Sequence, residues 1–398
     1  MSLHSLSITQ EQSNFRLPEW QVPLTATSHG ENEVNSVARV LRSGWWTCGP
    51  ETEQLESECR EYFGTRHAIA VSSGTAALCL AFLALQLSEG EEVVTPALNF
   101  VAATNMILHA GAVPRFADVD SINNPVVSAG TLKRAITPDT RGICVMHYGG
   151  YPCDMDSIMA LARKNRLWVI EDAAHAPGAR WNRISCGNWG DIGCFSFFGN
   201  KNLSCAEGGL VITGRDDLAQ KLRLLRSHGM NSLTWDRFRG HGFSYDVAVA
   251  GFNFRMDDLR ASLLRVQLRS LDGFNSRRRT RVQWYRNLLG NDARWNIPFE
   301  DHGGSSSYHL FTVVLSEGIS RNRVMGFLRS RGIQTSIHYP PIHQFTYYRH
   351  RLPPQRTLNR TEEIGQRIMT LPLFPEMTRE QVELVCASFR EAVENGKA

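Results

Sequence analysis

The chain has 398 residues, of which 42% are hydrophobic and 21% charged, with a formal net charge of +4. That balance excludes a disordered or fibrous chain, and the length exceeds what one hydrophobic core usually fills, so two domains are expected. The small positive excess is too weak to argue for nucleic acid and suits an anionic small ligand equally well.

The first twenty residues are polar and lack an apolar h-region, so no signal peptide is expected. An irregular lead-in, broken by Pro18 and Pro23, gives way to helical spacing over Glu31 to Ser43, with Val34, Val37, Val40 and Leu41 on one face and Gly44 as the stop. The SGWWTCGP stretch, Ser43 to Pro50, reads as a loop whose paired tryptophans either line a pocket or cap a core edge or a subunit contact. From His67 short apolar runs alternate with longer amphipathic ones. Strands are predicted at Ala68–Val71, Glu92–Thr95, Val113–Ala117, Gly142–His147 and Leu167–Glu171, with helices at Thr75–Leu87, Val101–Ala110 and Met155–Asn165. Such alternation implies a mostly parallel sheet covered on both faces. Ala68 to Leu87 would be long enough to span a membrane, but Ser72-Ser73-Gly74-Thr75 splits it into strand, turn and helix, and no membrane association is expected.

Further strands are predicted around Ser196 and at Gly208–Thr213, then a helix at Asp216–His228 and an Arg- and aromatic-rich stretch through Trp235, Phe238 and Tyr245. A long helix follows, with Leu259, Leu263, Val266 and Leu271 on one side. Its Arg277, Arg278, Arg279 and Arg281 read as a solvated face, because no nucleic-acid-binding motif accompanies them. Residues 305–395 read as a smaller α+β unit: strand His309–Leu315, helix Arg321–Arg331, strand Ile333–Ile337, and closing helices at Glu362–Met369 and Thr378–Glu394. A proline-stiffened loop, His338-Tyr339-Pro340-Pro341-Ile342-His343, sits between them. The domains are placed at 1–255 and 256–398. Nine cysteines (Cys48, Cys59, Cys79, Cys144, Cys153, Cys186, Cys194, Cys205, Cys386) are odd in number and form no C-x-x-C pair. That argues for free thiols in a reducing cytoplasm, with neither a disulfide framework nor a metal site.

Ligands of parallel sheets bind beyond the carboxyl ends of the strands, so the residues there carry the functional reading. Ser72-Ser73-Gly74-Thr75 opens directly into a helix, a geometry that offers backbone N–H groups to a phosphate or simply caps the helix. Phe100 stands where a ring could cover a flat ligand or join the core. Asp172, at the end of an apolar strand before His175, must be paired, and a protonated heterocyclic nitrogen or a helix N-terminus would each serve. Lys201, in the loop between two buried strands, either reaches solvent or is desolvated there. A desolvated lysine is suited to condensing with a carbonyl.

Taken in order, SSGTAAL (Ser72–Leu78), IEDAAHAPGA (Ile170–Ala179), FSFFGNKNLSCAEGG (Phe195–Gly209) and GFNFRMDDLRASL (Gly251–Leu263) resemble the DegT/DnrJ/EryC/StrS family of pyridoxal-phosphate-dependent sugar aminotransferases. The resemblance runs from SGWWTCGP to HYPPIH. It implies an α/β fold of the PLP-dependent transferase type I: a large domain with a mostly parallel seven-stranded sheet flanked by helices, a smaller α+β C-terminal domain, and a homodimer with shared sites. By the same resemblance Lys201 would hold the cofactor's aldehyde, Gly74, Thr75 and Ser196 its phosphate, and Phe100 its ring face. Asp172 would meet the ring nitrogen, His175 the ring's 3-hydroxyl, and Asn253 the phosphate in the other subunit. His338 would belong to the sugar-nucleotide pocket. The implied reaction moves an amino group from glutamate, through pyridoxal and pyridoxamine phosphate (PLP/PMP), to a keto sugar nucleotide.

Two departures stand out: Cys205-Ala206 replaces the family's usual Thr-Gly, and Phe198-Gly199 replaces its frequent His-Pro. The Phe-Phe-Gly-Asn-Lys form resembles the perosamine-synthase branch and tilts the expectation to amination at C4 of a 4-keto-6-deoxyhexose, with a C3-keto sugar or an inosose as other acceptors. Two rivals are a sugar dehydrase, against which Lys201 speaks because those relatives carry histidine there, and a non-catalytic PLP-binding sensor.

Overall fold

In the computed structural model, residues 20–231, 238, 240, 244–353 and 357–396 are described; Trp235, in the aromatic-rich stretch, lies outside them. The alternation read from the sequence builds a seven-stranded sheet in the order β1-β9-β8-β5-β4-β2-β3. Its strands are β1 (His67–Val71), β2 (Glu92–Pro96), β3 (Val113–Ala117), β4 (Thr140–Met146), β5 (Trp168–Asp172), β8 (Ile192–Ser196) and β9 (Gly209–Thr213). Only β9 runs antiparallel to its neighbours, His67 facing Thr213 and Ser196 facing Gly209. Buried strand residues such as Ile69, Val94, Val145, Ile170 and Ile212 make both faces apolar, as a sheet covered on two sides requires.

Helices α3 (Gly74–Ala84), α4 (Ala102–His109), α5 (Ala129–Ala135), α6 (Met155–Asn165) and α7 (Asp216–Arg226) follow or link these strands. The sequence reading assigned no element to α5 or to α2 (Pro50–Phe63), which comes after α1 (Glu31–Ser43). α2 buries Leu55, Cys59 and Phe63, one residue per turn, a stripe too sparse to stand out from its charged neighbours. A two-stranded hairpin, β6 (Arg180–Trp181) and β7 (Ile184–Ser185), lies between β5 and β8.

Helix α8 (Asp258–Leu289) joins the two halves. Ala261, Leu264, Leu268 and Leu271 pack in the core under the large sheet, whereas Val282, Tyr285 and Leu289 enter a second core built on β10 (Trp295–Asn296), β11 (Phe311–Leu315) and β12 (Ile368–Leu371). Helices α9 (Arg321–Ser330), α10 (Thr346–Arg351), α11 (Asn359–Arg367) and α12 (Arg379–Asn395) complete that half.

Three expectations are corrected here. Ile333 to Ile337 makes no strand but only isolated bridges, Ile333 to Val22 and Ser336 to Thr370 of β12, because its two ends meet different segments and no continuous register forms. The helix expected to run to Met369 stops at Arg367, and Ile368–Leu371 pairs with β11 instead, an apolar run whose β-branched residues favour a strand. The arginine run is not wholly solvated: Arg278 is buried, its guanidinium donating to the carbonyls of Leu373 (3.0 Å) and His309 (3.4 Å), and burial lowers its pKa to about 10. All nine cysteines are free. No helix among the described residues is long and apolar enough to cross a membrane.

Candidate active site

The carboxyl ends of β1, β2, β5 and β8 open onto one cavity of about 320 Å³. At its floor Ser73 caps α3, its hydroxyl accepting from the Ala76 N–H (3.1 Å). The N–H groups of Gly74 and Thr75 stand in the helix's first turn, without intrahelical partners, and favour an anion there. Two glycines make the cup. A Cβ on Gly74 would lie 2.7 Å from the Ser196 Cβ, and one on Gly209 would lie 2.3 Å from the Ser73 carbonyl oxygen.

Asp172 ends β5 with its side chain 4% exposed. Its Oδ1 accepts one N–H, from Ala174 (3.2 Å), which caps a turn and not a helix. Burial raises its pKa above the usual carboxylate value, and Ala174, Lys201, Asn99 and His147 pull it back. Lys201 follows β8 in a turn closed by its own N–H donating to the Phe198 carbonyl (2.9 Å). Burial pushes its amine down to about 8, and only Asp172 acts to raise it.

His175 is buried and neutral. Its Nδ1 accepts the Gly149 N–H (3.3 Å), which leaves the proton on Nε2, 3.0 Å from the Tyr339 hydroxyl. Burial, followed by the Lys201 and His338 charges, holds its pKa well below the ordinary imidazole value. His338 reaches the cavity from the second half of the chain. Its Nδ1 pairs with the Thr370 hydroxyl (2.8 Å), and burial, then Lys201, lowers its pKa to about 4. The Tyr148 hydroxyl clamps this loop by donating to the His338 carbonyl.

Of the residues singled out in the sequence, Gly74, Thr75, Phe100, Asp172, His175, Ser196, Lys201 and His338 all line this one cavity. Asn253 does not. It sits exposed on a segment bridged to Ser227. Trp45 and Trp46 do not line the cavity either. The sequence reading missed Tyr339 and Asn200 as cavity residues, although each lay inside a stretch already singled out.

The residues present suit pyridoxal phosphate: a helix-start cup that a single Cβ would fill for the phosphate, apolar walls for a flat ring, and a buried, under-bonded carboxylate that calls for a cationic partner. The sequence profile of the DegT/DnrJ/EryC1/StrS aminotransferase family matches residues 27–390. The chain belongs to that family. Its members are pyridoxal-phosphate-dependent enzymes, and this aminotransferase chain shares their fold.

Among solved structures it resembles PseC from Helicobacter pylori, an aminotransferase involved in the biosynthesis of pseudoaminic acid, at 25% identity and a TM-score of 0.89, over 94% of this chain and 99% of that one. DesV from S. venezuelae matches at 34% identity and a TM-score of 0.83, over 91% and 94%. Spr1654 from Streptococcus pneumoniae, solved in its PMP form and its PLP form, matches the PMP form at 26% identity and a TM-score of 0.88, over 94% and 99%.

Proposed function

We propose that this aminotransferase moves an amino group from glutamate to the carbonyl of a keto sugar nucleotide, with a nucleoside diphosphate 4-keto-6-deoxyhexose favoured as acceptor. The observation that carries the reading is the Lys201 amine, lowered to about 8 and set beside the buried Asp172 above an anion-binding helix start. The involvement of PseC in making pseudoaminic acid supports a sugar acceptor.

When bound, pyridoxal phosphate supplies an electron sink and a carbonyl that carries the nitrogen between the two partners. Gly74, Thr75 and Ser196 would hold its phosphate, and Phe100 would cover its ring. Asp172 presents a buried carboxylate that would keep the cofactor's heterocyclic nitrogen protonated, which would strengthen it as an electron sink. Lys201 would hold the cofactor's aldehyde, and its amine, with a pKa lowered to about 8, is suited both to accept and to return a proton near neutrality. His175, fixed as a neutral donor between Gly149 and Tyr339, serves the ring's polar edge without bringing a charge. His338 faces the sugar. Asn253, which does not line the cavity of its own chain, would serve the phosphate in a second copy of the chain. The nitrogen leaves glutamate as the keto acid forms and arrives on the sugar in a separate step, so ping-pong kinetics are expected.

Lys201→Ala is predicted to abolish the absorbance of lysine-bound cofactor and to lower amino transfer by at least about 100-fold. A Lys201→Ala protein that aminates a keto sugar at the wild-type rate would refute the mechanism. For the rival sensor reading the deciding measurement is whether glutamate converts the bound cofactor to its amine form.

A further inference from the structure

Asn200, the residue before the lysine, has a carboxamide oxygen that is buried and without a hydrogen-bond partner. It lines the active cavity and, with His338, also lines a small side cavity of about 10 Å³ that includes His309 and Thr370. That volume admits one hydroxyl-sized group and no ring.

The polarity of this corner follows from its surroundings. Asn202 Nδ2 donates to the Ser307 carbonyl (2.7 Å) and to Asn275 Oδ1 (2.9 Å), so its Oδ1 is left to accept from His309 Nδ1 (2.9 Å). His309 is 3% exposed, and burial holds its pKa well below the usual imidazole value. With the proton on Nδ1, its Nε2 is an acceptor. Asn200 Oδ1 therefore gives the corner an unpartnered acceptor, and the neutral His309 ring that lines it brings no charge, so the corner calls for a donor and repels a carboxylate. Glutamate carries two carboxylates, and its amine is committed to the cofactor. A sugar carries hydroxyls.

We propose that Asn200 is a positioning residue for the acceptor substrate, its carboxamide oxygen receiving a hydrogen bond from a hydroxyl of the keto sugar while the corner turns away the carboxylates of the amino donor. This rests on the amino-transfer reading above.

The test separates the two half-reactions in the full-length, cofactor-loaded protein, following the cofactor's absorbance in single turnovers. Glutamate drives the first, and UDP-, dTDP- and GDP-linked 4-keto-6-deoxyhexoses drive the second. In Asn200→Leu, and in Asn200→Ala where no added bulk threatens folding, kcat/KM for the sugar half-reaction is expected to fall about 10-fold or more beyond any fall in the glutamate half-reaction. Equal falls in both half-reactions would place the effect on Lys201 and overturn the proposal, as would no fall in either. A wild-type protein that takes the amine from glutamate but passes it to none of these sugars would overturn the acceptor reading itself, and the Asn200 proposal with it.

Discussion

Glu171 and Asp172 show how neighbours in sequence part company at the level of single residues. Strand alternation sends them to opposite faces of β5. Glu171 is bonded to His147 Nε2 (2.9 Å) and to the N–H groups of Gly187, Trp189 and Gly190 (2.7 Å each), whereas Asp172 faces the cavity with one weak donor. Glu171 is thus fully spent on structure, and Asp172 is left for chemistry. The lowered pKa of Lys201 has its own consequence. At pH 7 an amine of pKa about 8 is roughly 10% neutral, while an ordinary lysine is well under about 0.1% neutral. Condensation with an aldehyde needs the neutral amine, so capture of pyridoxal phosphate by cofactor-free protein should speed up about tenfold per pH unit below 8 and level off above it. A rate still climbing at pH 10 would contradict the lowered pKa. Ala206 sits exposed in the left-handed region at φ 70°. Ala206→Gly is predicted to stabilise the fold by about 0.5–1 kcal/mol, seen as a small rise in melting temperature.

The elements are tied to one another by polar caps that no periodicity announces. Two adjacent carboxylates at the start of α8 do different work. Asp257 caps its own helix by accepting the Arg260 N–H (2.9 Å), and Asp258 caps α2, accepting from the N–H groups of Gly49, Glu51 and Thr52 and from the Thr52 hydroxyl at 2.7–3.1 Å. Asp258→Ala would orphan these buried donors at once and should cost about 2–4 kcal/mol, measured as a fall in denaturation midpoint. A cost below about 0.5 kcal/mol would show that α2 is held by packing alone. The aspartate pair was visible in the sequence, but its division between two helices was not, because α2 and α8 lie some two hundred residues apart.

At the scale of the molecule, Asn253 is exposed and does not line the cavity of its own chain. Phe100 and Phe198 at the cavity, and Val247, Val249 and Phe252 on the segment leading to Asn253, are 38–55% exposed. In the homodimer that the family resemblance implies, a second copy would cover these residues and lend its Asn253, which would account for both features. The prediction is a complementation. Lys201→Ala and Asn253→Asp proteins, each inactive alone, should recover about a quarter of wild-type activity when subunits are mixed one to one, because half the dimers are hybrids and each hybrid has one intact site. No recovery in hybrids verified by mass would mean that Asn253 serves its own subunit or neither. The two cores cannot be cut apart cleanly, because α8 is buried in both.

What the sequence determined by itself was local and periodic: the alternation that builds a parallel sheet, the small residues opening α3, and the aspartate, histidine and lysine at strand ends. Each of these depends on neighbours a few residues away, and each survived into the structure. The tertiary structure alone decided which of those groups meet. It set Lys201 against Asp172, brought Tyr339 from the second half onto His175, left the Asn200 carboxamide oxygen without a partner, and reduced Ile333–Ile337 to bridges. Those outcomes follow from strand order and from long-range packing across the chain. A pattern with a period of two or of 3.6 residues carries no information about either.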